Sequence, residues 1–299
     1  MIRRAFLVVY LALLTVSLRA QSPASTGWSA NIAEVRQVAT LIPGRKPLRI
    51  NVLKFAESHR TKNFSVKGEA ATPSVQARTV FQVVYPDGTV MVDAGMDVAM
   101  HKQIGRGAEG EPYFPQQAQE VDKALRAARA IIFTHEHGDH VTGVIRTPYL
   151  AELAPKTILT RAQVTTLETR PQFPDLKITE EEAQRYHIID YDRYMAFAPG
   201  WTLIKAAGHT PGSQMMFITL ESGREYLLIG DTAWHMDSVR KNVGKDAPWI
   251  TEDTAAVNAQ LTWLNGLYNS EKNLVIVASH DDDEHKELIA KKLLGGKLE

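Results

Sequence analysis

The stretch "FTHEHGDH", residues 133–140, places three histidines and two carboxylic acids in eight positions, directly after the apolar run "RAIIF". Such groups repel, titrate or need water, so their place at the end of a buried strand asks for a common partner. Metal is the candidate. In an extended loop, residues two apart point the same way, so His135 and His137 can reach one ion together. Asp139 and His140 follow at once and can reach a second ion beside it. Imidazole nitrogens with carboxylate oxygens suit zinc, with iron, manganese or cobalt as competitors.

Further ligand-type residues lie downstream, each after an apolar strand. "AAGHTPGS" offers His209 in a tight turn, "LLIGDTAW" offers Asp231, and "NLVIVASHD" offers His280. Any one of these alone is an unremarkable loop residue or helix cap. Together they make four strand ends that finish in histidine or aspartate, which is how a rigid sheet holds a reactive centre while its loops stay accessible. Five of the ten histidines belong to this set.

The rest of the chain reads as alternating strands and helices with β-hairpins, an α/β chain of mixed sheets. "ARTVFQVVYPDGTVMVDAGMD" gives two strands about Pro86-Asp87-Gly88, and residues 116–130 have helical periodicity. "RPQFPDLKITEEEAQRY" reads as a charged, proline-marked surface excursion. There is no internal repeat or linker, so residues 46–299 are taken as a single catalytic domain.

Bulk properties limit the alternatives. Hydrophobic residues at 44% and charged residues at 23% describe a chain able to bury a sizeable core. Near-neutral charge without a basic tract argues against nucleic acid. With no cysteine, thiolate metal sites and disulfides are excluded. At the N-terminus, Arg3 and Arg4 precede an uncharged run from Ala5 to Val16 and then small residues, the layout of a secretory signal. Residues 1–20 are expected to be removed, with cleavage after Ala24 as the second option, and residues 21–45 to form a polar leader. The mature protein is expected to be periplasmic or secreted and free of the membrane.

The motif order, with Asp93 in "VDAG", then the histidine cluster, "GHTPG", "GD" and "SHD", resembles the metallo-β-lactamase superfamily from about Val80 to Asp281. The resemblance implies an αββα sandwich of two mixed sheets with a dinuclear metal site between their loops. It implies two zinc ions per chain, the first held by His135, His137 and His209 and the second by Asp139, His140 and His280. Asp231 would bridge them and Asp93 would support the site from behind. A bridging water made nucleophilic by the two ions would attack an ester-type bond, with Asp139 moving the proton.

Within the superfamily, the bridging aspartate and the His280-Asp281 pair are most similar to lactonases that open N-acyl homoserine lactones. That branch commonly carries a tyrosine three residues after the aspartate; here it is Trp234. Exported metallo-β-lactamases, which share "GHTPGS", are the alternative, followed by thioester or phosphotriester hydrolases and by a non-catalytic metal-binding protein. Trp234, Tyr113 and Phe114 are candidate contacts to a small-molecule substrate. No basic residue stands beside the motifs to recognise a β-lactam carboxylate, unless Lys102, Arg106, Arg240 or Lys241 folds over them.

Overall fold

Two long strands, β1 (Arg49–Thr61) and β2 (Pro73–Tyr85), run antiparallel, and the Pro86-Asp87 turn leads from β2 into β3 (Gly88–Val92). Parallel strands β4 (Ala130–Ile132), β5 (Thr157–Thr160) and β6 (His187–Ile189) complete a six-stranded sheet in the order β1-β2-β3-β4-β5-β6. The second sheet has the order β11-β10-β9-β8-β7. Its strands are β7 (Tyr194–Ala198), β8 (Trp201–Lys205), β9 (Gln214–Thr219), β10 (Glu225–Leu228) and β11 (Leu274–Val277). Only the β10–β11 pair is parallel. This computed structural model describes residues 27–105 and 111–299, so the expected signal segment and Arg106 lie outside the described residues.

Alternation of side chains along the strands builds three cores. On β9, Met216 and Ile218 face inward against Phe81 of β2 and Tyr226 of β10, filling the space between the two sheets. Their neighbours Met215 and Phe217 face outward, under Leu261 and Leu264 of the helix Thr254–Ser270. On the far side of the first sheet, Phe55, Met91 and Ile131 pack under Leu125 of the helix Pro115–Ala127 and Val141 of the helix Gly138–Ile145. The order is therefore helices, sheet, sheet, helices, the expected αββα sandwich.

Two expectations need correction. The leader assigned to residues 21–45 is folded from Trp28 onward. Ile32–Val38 is a helix capped by Asn31, Val35 is fully buried, and Trp28 Nε1 donates to the Lys205 carbonyl at 2.8 Å. The small polar residues before it masked the helical spacing of Ile32, Val35 and Ala39. The excursion at residues 170–186 sends Leu176 and Ile178 into the helix-side core of the first sheet. Ahead of Tyr113, Asp97 caps a helix over Val98–Ile104. Among the described residues, no helix is long and apolar enough to cross a membrane.

Candidate metal centre

The site lies where β3, β4, β8, β10 and β11 end. Asp93 follows β3 directly, with φ of 63°, a left-handed conformation that a non-glycine residue adopts only when its surroundings enforce it. Here they do. Ala94 N donates to the His140 carbonyl at 2.7 Å, and Gly143 N to the Gly95 carbonyl at 3.0 Å. A Cβ on Gly143 would lie 2.0 Å from the Ala94 carbonyl oxygen, so only glycine lets the helix approach this closely. The Asp93 carboxylate then accepts from Thr134 N at 2.7 Å and lies 2.8 Å from His140 Nδ1.

Each of three histidines is oriented from behind by such an acceptor. His140 Nδ1 faces Asp93, His280 Nδ1 faces the Ala77 carbonyl at 2.7 Å, and His209 Nδ1 faces Glu252 Oε2 at 3.0 Å. A carbonyl or carboxylate can only accept, so Nδ1 carries the proton and Nε2 is left with a lone pair aimed inward. At the centre of these nitrogens is the Asp231 carboxylate. It lies 3.1 Å from His280 Nε2, 3.6 Å from both His140 Nε2 and His209 Nε2, and 3.8 Å from His135 Nε2. His137 Nδ1 lies 3.1 Å from His209 Nε2, and Asp139 Oδ2 lies 3.4 Å from His280 Nε2 and 3.5 Å from His140 Nε2.

Three of these buried atoms, His135 Nε2, His140 Nε2 and Asp231 Oδ1, have no hydrogen-bond partner. An unpaired buried polar atom costs roughly 1–3 kcal/mol, and three of them converging on one point fit cations as the missing partners. The same residues divide into three groups whose ligand atoms lie within 4.8 Å of one another: His135, His137 and His209; His135, His140 and Asp231; Asp139, His140 and His280. All seven sequence candidates therefore come together.

The charges agree with that use. Burial and the neighbouring histidines hold His135 well below its ordinary pKa, and His137 is lowered to about 3 for the same reasons. Burial alone would push Asp139 and Asp231 up, but the histidines around both, with Arg78 beside Asp139, hold these carboxyls well below the usual range. Burial opposes a proton on His140, yet Asp139, Asp93 and Asp231 outweigh it and raise that pKa well above normal.

A cavity of about 710 Å³ opens over Asp139, Asp231 and His209, large enough for a small organic substrate. Phe64, Trp249, Ile250, Phe173 and Ile104 give it an apolar side. Trp234 lines it and donates from Nε1 to Asp231 Oδ2 at 2.8 Å. Tyr113 and Phe114 are placed elsewhere. The Tyr113 ring packs edge-on against Phe55 with its hydroxyl on the Met96 carbonyl, while Phe114 starts the helix Pro115–Ala127. The residues preceding them contribute instead, through Gln103, Ile104 and Gly105.

Basic residues, expected to be absent beside the motifs, are present. Arg78 Nη1 donates to Asp139 Oδ2 at 2.5 Å, and Arg60 lines the cavity while paired with Glu111. Lys245, fully buried, reaches Glu252 at 3.0 Å and the Asp231 carbonyl at 2.6 Å. Of the residues suggested for this place, Arg240 pairs with Asp237 and Glu284, and Lys241 with Glu69. Arg78, Lys245 and Glu252 carry no local signal, since each meets the site only through tertiary contacts.

A family described as a beta-lactamase superfamily domain matches residues 89–262. An N-acyl homoserine lactonase from Bacillus cereus is 26% identical over 217 residues, spanning 67% of this chain and 79% of that protein. Among solved structures, a quorum-quenching N-acyl homoserine lactone lactonase superposes with a TM-score of 0.65 at 17% identity, covering 82% of this chain and 97% of that one. A dizinc quorum-quenching lactonase bound to its N-acyl homoserine product superposes with a TM-score of 0.56 at 15% identity, covering 79% and 90%.

Proposed function

The chain belongs to the β-lactamase superfamily of metal-dependent hydrolases, and from that premise we propose that it is a dinuclear zinc enzyme opening a lactone of the acyl homoserine class. The observation that carries this reading is the position of Asp231, whose carboxylate faces the Nε2 atoms of His135, His140, His209 and His280 within 3.8 Å. One carboxylate so placed can be shared by two cations. His135, His137 and His209 would hold one, Asp139, His140 and His280 the other, and the preponderance of nitrogen favours zinc. Such a pair supplies Lewis-acid polarisation of a carbonyl and a nucleophile from water near neutral pH.

The protein's own groups do the rest. Asp139 stands at the cavity wall where a proton can be accepted and passed to the departing oxygen. Trp234 fixes the Asp231 carboxylate but, as an indole, donates a hydrogen bond without acting as an acid. The apolar side, with Phe64 and Trp249 in edge-to-face contact, suits an acyl chain and excludes water.

The lactone reading is favoured over β-lactams because, among the described residues, the cavity lining offers no spare cation for a substrate carboxylate. Arg60 and Arg78 line it, but Glu111 and Asp139 already neutralise them. The basic-then-apolar N-terminus supports a periplasmic or secreted enzyme. Chelation should abolish hydrolysis of an acyl homoserine lactone and zinc should restore it. Activity that survives complete chelation would refute the reading.

A further inference from the structure

Arg78 takes no part in the chemistry above, yet it is 7% exposed and sits against the site. Its Nη1 donates to Asp139 Oδ2 at 2.5 Å and lies 3.5 Å from His280 Nε2. Nε and Nη2 both donate to the Ser58 hydroxyl, at 3.2 and 3.0 Å, which tethers the guanidinium from the other side. Ser58 is itself fully buried, on the neighbouring strand β1. Guanidinium is charged at every working pH, and burial is tolerated only when the charge is paired. Its carboxylate partner here is Asp139, a residue that the second cation also needs.

No such competition exists at the other group. The cation behind His209 is Lys245, and its charge is met by Glu252, which stands outside the seven ligand-type residues. Asp231 faces histidines of both groups, His135 and His209 on one side and His140 and His280 on the other, so Asp139 is the carboxylate that belongs to the Asp139–His140–His280 group alone. An ion entering there must share it with a fixed positive charge. Repulsion at such range in a water-poor pocket is several times stronger than in bulk water.

We propose that Arg78 makes the two cation sites unequal, tight at His135–His137–His209 and weak at Asp139–His140–His280. This rests on the dinuclear reading. The second site then fills only when free zinc is plentiful, and the chain alternates between a one-ion and a two-ion form according to supply.

Stepwise zinc binding to the full chain, followed by competition with a chromophoric chelator, tests this in wild type, Arg78→Gln and Arg78→Lys. Glutamine keeps a donor to Asp139 and loses the charge; lysine keeps the charge. Wild type should give two dissociation constants at least about tenfold apart. Arg78→Gln should tighten the weaker constant by about tenfold while the tighter one is unchanged, and Arg78→Lys should keep the gap. Two equal constants in wild type would overturn the proposal and leave the dinuclear reading intact, as would a weaker second site in Arg78→Gln. One bound equivalent in both proteins, at any zinc excess, would overturn both. Should Arg78→Gln fail to fold, the wild-type and lysine constants decide, separated ones in favour and equal ones against.

Discussion

Trp234 Nε1 donates a 2.8 Å hydrogen bond to Asp231 Oδ2, the same oxygen that lies 3.1 Å from His280 Nε2. A neutral donor thus sets the rotation of the carboxylate shared by both histidine groups. Trp234→Phe keeps an aromatic wall and removes the donor. Outer partners of metal ligands are typically worth 10–100-fold in affinity, so zinc retention against a chelator should fall by about tenfold or more. Unchanged retention would remove Trp234 from the support of Asp231.

Asp139→Asn keeps the shape but takes away the charged ligand and proton carrier proposed for this position. Turnover should fall by about 10²-fold or more. A variant that keeps two zinc ions and near-normal kcat would contradict the role given to Asp139.

Protons compete with the cations, and the direction can be worked out. Without metal, His137 is lowered to about 3, and His135 and His209 are also depressed, so the unfolded chain takes up their protons first as pH falls. Their contribution to stability is present above about 6.5 and is lost on acidification. His140 has the opposite sign, but it is one group against three. Stripped protein should therefore show a lower denaturation midpoint at pH 5 than at pH 7. The raised pKa of His140 means that zinc must displace a proton from this ligand, so proton release should accompany zinc uptake, measurable by calorimetry in two buffers.

Behind the site, Lys245 and Glu252 form a buried pair whose two ends hold the Asp231 carbonyl and the His209 ring. Lys245→Met leaves Glu252 charged without its partner, which should cost about 3–5 kcal/mol of unfolding free energy. Lys245→Met with Glu252→Gln should recover part of it, because the two changes share one interaction.

The seven ligand-type residues were readable because each ends an apolar run. A strand such as Leu274–Val277 gives its own signal, and the polar residues His280 and Asp281 after it stand out against that background. The same strands and the helices at Pro115–Ala127 and Thr254–Ser270 made an α/β chain of mixed sheets legible, while the αββα layer order came only from the resemblance to the metallo-β-lactamase superfamily. Arg78 was hidden for the opposite reason. It interrupts the buried run of β2, where a lone arginine gives no clue to a partner 61 residues away. Tyr113 and Phe114 misled because aromatic composition marks a loop for burial without telling which side of the sheet receives it. The helix at Ile32–Val38 was missed because its single fully buried residue, Val35, gave too little apolar contrast.

The most direct measurement is kcat/KM for an acyl homoserine lactone beside that for a penicillin, on the same zinc-loaded preparation. The lactone value should be the larger. A penicillin value a hundredfold greater, about 2.7 kcal/mol of transition-state preference, would contradict the lactonase reading and make the exported β-lactamase the better one.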